Sequence, residues 1–86
     1  MMFIVIIKKT PQKLKGGLSI WLSEISNGVY VGNFSIKVRD MIWKQIVDGI
    51  GDGYALMAWE KSNSEFGFEM LSTSLINPDV LEVLNQ

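Results

Sequence analysis

Phe3 to Ile7 is an unbroken apolar run, Phe-Ile-Val-Ile-Ile, and all but the first of its residues are β-branched. A strand with one wet face would need polar residues at alternate positions. This run therefore reads as a central strand covered on both faces. It is too short to cross a bilayer, which takes about 20 apolar residues. Lys8 and Lys9 follow it, whereas a signal peptide carries its charges ahead of the apolar stretch. A chain of 86 residues buries only about 60% of its unfolded surface. An apolar content of 48% is ample for that core and leaves apolar surface for a partner or a second copy.

Around this strand the pattern predicts alternating elements. Thr10 reads as an N-cap and Pro11 as the first residue of a helix. Leu14, Leu18, Trp21, Leu22 and Ile25 form its apolar stripe. Gly16 and Gly17 interrupt it at a cost of about 1 kcal/mol each relative to Ala. Either the helix starts late or something approaches its backbone closely. Ile20 falls on the polar side, as an interface residue would.

Asn27-Gly28 makes a turn into a short strand, Val29 to Val31, closed by Gly32-Asn33. Asn33 or Ser35 caps a second helix with the apolar arc Val38, Ile42, Trp43, Ile46, Val47 and Ile50. Gly49, Gly51 and Gly53 stop it. Tyr54 to Trp59 reads as a strand. Lys61 to Ser64 forms the loop of a hairpin whose return strand places Phe66, Phe68 and Met70 on one face. Pro78 to Leu84 is either a short helix after Asn77 or an extended apolar tail. The order suits an α+β, ferredoxin-like sandwich, with two helices on one face of a four- to five-stranded, mainly antiparallel sheet. We assign residues 1–75 to that domain and 76–86 to a C-terminal tail suited to binding a partner.

Charge is divided along the chain. Residues 1–47 carry seven bases against Glu24 and Asp40, a balance of +5, while residues 48–86 balance at -6. Such a chain offers a basic face to a polyanion. Lys13 and Lys15 lie in the first turns of the first predicted helix, with Lys8 and Lys9 just upstream. Lys37 and Arg39 lie in the first turn of the second. Bases are misplaced there for stability, because the helix dipole favours acids by about 0.3–1 kcal/mol. They make sense if an anion arrives. Arg39 falls in the apolar arc and is expected to reach out past the helix end.

Other chemistry finds less support. With no histidine and no cysteine, the commonest general base, the usual zinc ligands and any disulfide are excluded. Glu60 and Glu69 could meet across the hairpin, but no acidic motif assembles the convergent carboxylates of two-metal catalysis. No cofactor is expected. Phe66-Gly67-Phe68 resembles the heart of an RNA-recognition motif, but Ser64-Glu65 stands where that motif has a basic residue and glycine.

The block Gly28-Val29-Tyr30-Val31-Gly32-Asn33, followed by Ser35 to Trp43, resembles the small CRISPR-associated protein Cas-two of type I-E systems. Pro11 to Gly16 with Trp21-Leu22, and Met57-Ala58-Trp59 with Gly67-Phe68-Glu69, extend the likeness to about Leu71. The resemblance implies a ferredoxin-like homodimer that bridges dimers of the Cas-one integrase. It implies that the assembly holds a double-stranded DNA fragment for insertion as a new spacer, with Cas-one performing the strand transfer. Lys13, Lys15, Lys37 and Arg39 match the family's basic positions and are the expected DNA contacts. Some relatives carry an acid at the end of the first strand and are described as metal-dependent nucleases. Here that place holds Lys8-Lys9, which favours a non-catalytic scaffold over a Mg²⁺-dependent endonuclease. The chain also has no base after Lys61, unlike type I-E members. An unrelated ferredoxin-like module binding RNA or a small ligand is the third alternative. The expected location is the cytoplasm.

Overall fold

A computed structural model describes residues 1–73 of the chain. The predicted tail, including Val80 to Leu84, lies outside the described residues. The elements are β1 (Met2–Lys8), α1 (Gln12–Trp21), β2 (Ser23–Ser26), β3 (Val29–Asn33), α2 (Ile36–Gly49), β4 (Tyr54–Glu60) and β5 (Phe68–Ser72). They build one sheet in the order β2-β3-β1-β4-β5, with every neighbouring pair antiparallel. This is the expected α+β, ferredoxin-like arrangement.

β1 is the central strand, and the described residues cover one of its faces. Alternation along a strand sends successive side chains to opposite faces. Phe3, Val5 and Ile7 are buried, as are Ala55, Met57 and Trp59 on β4 and Tyr30 on β3. They meet Leu14, Leu18 and Leu22 from α1 and its C-terminal cap, and Ile42, Ile46 and Ile50 from α2 and its C-terminal cap. The fourfold spacing of each helical set keeps it on a single stripe. On the opposite face, Ile4 lies between Val31 and Ala58, and Ile6 lies between Val29 and Leu56. Met70 extends the first row beside Ala58. No described element packs on these rows.

Three local readings change. α1 begins at Gln12 rather than Pro11, and Pro11 caps it without a side-chain hydrogen bond. The chain leaves β1 through Lys9 in the left-handed region (φ 52), and the Thr10 hydroxyl is buried with no partner. α1 then ends at Trp21, and Leu22 is extended. Ile25, read as part of the helical stripe, instead lies on the exposed edge strand β2. Pairing with β3 overrides helical spacing here. The hairpin closes through Gly28 (φ 78), where a Cβ would stand 2.6 Å from the Ile7 carbonyl oxygen. The Gly28 N–H donates to the Glu24 carboxylate (3.1 Å), and the Gly28 carbonyl accepts from Ile7 (2.8 Å).

Ser35, rather than Asn33, caps α2, its Oγ accepting the Val38 N–H at 3.3 Å. Asn33 instead accepts from the N-terminal amine (2.9 Å). At the β4–β5 hairpin Glu69 stands opposite Trp59 and Glu60 opposite Phe68. The two acids therefore point to opposite faces and do not meet. Glu69 pairs with Lys61 at 2.6 Å.

Candidate nucleic-acid interface

The topology sets the basic residues on the helical layer. α1 starts just beyond Lys8, at the C-terminal end of β1. α2 starts beside the N-terminal end of β1, where Phe34 donates to the Met1 carbonyl (2.9 Å). The two helices therefore run antiparallel, and their basic starts lie at opposite ends of one layer rather than side by side. α2, with 14 residues, spans about 20 Å. A duplex lying along it would meet both ends.

At the α1 start, Lys8, Lys9 and Lys15 line a recess with Thr10 and Asn27-Gly28. Lys13 lies on the other side of α1, in the groove between the helices, with Gly17, Lys44, Gln45 and Asp48. Lys37 is exposed in the first turn of α2. Among the described residues none of these lysines forms an ion pair.

Arg39 behaves differently. Its guanidinium carbon lies 4.0 Å from the centroid of the Trp59 ring. Nη2 and Nε donate to the Asp40 carboxylate at 2.8 and 3.1 Å, and Nη1 approaches the Met1 sulfur. The side chain is only 14% exposed. It does not reach out past the helix end. Its position in the apolar arc turns it back onto β4, where the indole face and Asp40 hold the charge.

Lys44 was missed as a candidate because it stands mid-helix, away from either start. Its spacing from Lys37 is the signal that could have found it. Seven residues are two turns, so the pair shares one face of α2 about 10 Å apart.

Among the described residues no three carboxylates converge to hold a metal ion, and no helix is long and apolar enough to cross a membrane. Among the described residues two phenols have displaced protonation. Burial, then the Glu24 carboxylate hydrogen-bonded to it, pushes the Tyr30 hydroxyl above its ordinary range. Burial alone does the same to Tyr54, whose hydroxyl has no partner.

The described residues thus combine a helical layer bearing lysines with an apolar sheet face on which none of their elements packs. Residues 2–82 match the family described as CRISPR-associated protein (Cas_Cas2CT1978). The match takes in every described element, and the chain belongs to this family of CRISPR-associated proteins.

Proposed function

We propose that the chain is a non-catalytic, double-stranded-DNA-holding scaffold of CRISPR adaptation, of the type I-E kind. It works as a homodimer bridging Cas-one integrase dimers in the cytoplasm. The observation that carries this reading is the opposition of two faces. The sheet face holding Ile4, Ile6, Val29, Val31, Leu56, Ala58 and Met70 has no cover among the described residues, and a second copy can supply one, since stacked sheets pack about 10 Å apart. The helical layer then stays outward, with its cations free for phosphate.

Lys13, Lys15 and Lys37 are the contacts of this reading. Arg39, the fourth residue of the expected set, has its donors engaged by Asp40 and Met1 and adds to the field around the α2 start. The partner is a duplex rather than a base sequence, because lysines read phosphates and not base edges. Three contacts per protomer in a dimer give a slope of log K against log salt of about -5. The test is the triple charge reversal K13E/K15E/K37E, with duplex binding measured by anisotropy and the dimer by ultracentrifugation. Binding is expected to vanish while the dimer persists. A salt-independent affinity in the unsubstituted protein would overturn the reading.

A further inference from the structure

The groove between α1 and α2 holds a cation that the helix-start argument does not use, Lys44, facing one that it does, Lys13. Lys13 and Lys44 both line it, and neither has an ion-pair partner among the described residues. The helices approach closely at Gly17, where a Cβ would stand 2.5 Å from Nε2 of Gln45. Beside it Gly16 opens to free space. The wall of α1 facing Gln45 is therefore low at Gly17. The Gln45 amide sits in the groove and makes no hydrogen bond to another described residue, so its N–H donors are available. Asp48 lines the end of the groove nearest the α1 start, one helical turn beyond Lys44.

Two lysines facing one groove repel each other unless an anion joins them. Lys44 also shares the Lys37 face of α2, two turns along. A polyanion following that face from Lys37 arrives at Lys44 and then at Lys13.

We infer that Lys44 is a phosphate contact of this chain, acting beside Lys13 and the Gln45 amide to seat neighbouring phosphates of one DNA backbone across the α1–α2 groove. This rests on the DNA-holding reading and adds a residue to it. Four contacts per protomer steepen the dimer's salt slope from about -5 to about -7.

The experiment measures binding of a random-sequence duplex at 50 and 200 mM salt to the unsubstituted protein and to K44Q, K44R, K13Q and K37Q. Lys61→Gln, remote from the groove on the β4–β5 hairpin, serves as control. Each lost contact removes about 3.5-fold from the affinity ratio between the two salt concentrations, following a slope of 0.9 per phosphate. K44Q is expected to lose that factor for each engaged protomer, K44R to keep it, and K13Q/K44Q to lose the product of the single effects because the two lysines neutralise separate phosphates. If K44Q matches the unsubstituted protein while K13Q and K37Q lose the factor, Lys44 is a solvated lysine and the inference falls with the DNA reading intact. If none of the three neutralisations changes the ratio, the DNA reading itself fails.

Discussion

The Arg39 guanidinium stacks on the Trp59 ring at 4.0 Å, joining the first turn of α2 to the end of β4. Trp59 is 7% exposed, so the indole is a fixed floor rather than a mobile surface group. Asp40 completes the arrangement from the next position along the helix. A residue whose type and position suggest DNA contact is thereby held as a staple between the helical layer and the sheet.

Removing the staple should cost stability rather than affinity. A cation over an aromatic face contributes about 0.5–1 kcal/mol when exposed and about 2 when desolvated. Arg39→Ala is expected to destabilise the fold by about 1–2 kcal/mol in urea unfolding and to change the Trp fluorescence. The salt slope of DNA binding should stay at its original value. A slope shallower by about 0.9 per protomer would make Arg39 a phosphate contact after all.

The uncovered sheet face yields a prediction about assembly. Ile6 lies on that face between Val29 and Leu56, and two-fold symmetry would bring it into the interface twice. Losing about 1.5–3 kcal/mol of burial from each copy weakens association by roughly a hundredfold or more. Ile6→Asp should therefore sediment as a monomer at concentrations where the unsubstituted protein is a dimer. Val31→Lys, on the same face, should do the same, and circular dichroism checks that each variant remains folded. An unsubstituted protein that sediments as a monomer would remove the homodimer.

The two phenols set an alkaline limit on stability. Both Tyr30 and Tyr54 are held above the ordinary phenol value by burial, Tyr30 also by Glu24. A raised folded pKa means that the unfolded chain loses its phenolic protons first. The associated stability is whole below the unfolded value of about 10 and falls as pH rises through the higher folded values. Denaturant midpoints should be flat with respect to these groups from pH 7 to 9 and decline above about 10. Tyr→Phe at position 54 should flatten part of that decline. An ultraviolet titration in which both tyrosines ionise at the unfolded value would contradict the burial argument.

Much of the fold is legible because its signals are local. The β-branched run at Phe3 to Ile7 needs no distant information to read as a strand. The Ser35 cap and the glycine stop after Val47 likewise depend on neighbours a few residues away. The failures share a cause. Ile25 continues the spacing of Leu14, Leu18 and Leu22, yet β2 pairs with β3, and a ladder to another strand outweighs a helical pattern that ends at Leu22. That Glu60 and Glu69 could meet across the hairpin was open in the sequence, and the register puts them on opposite faces.

The candidate interface divides in the same way. The excess of bases in the first half, and their gathering at two helix starts, are properties of the chain alone. Whether those starts stand together is not, and the antiparallel packing of α1 and α2 puts them at opposite ends of the layer. The direction of Arg39 depends on Trp59, 20 residues later, and the grouping of Lys13 with Lys44 depends on how closely Gly17 lets the helices approach.

By itself, then, the sequence determined the element types, the buried stripes and the signed halves of the chain, because hydrophobic periodicity and charge act through local geometry. Only the tertiary structure decided which cations are free among the described residues, which is stapled, and that the described elements cover one face of β1. Those outcomes follow from contacts between residues far apart in the chain, which periodicity does not encode.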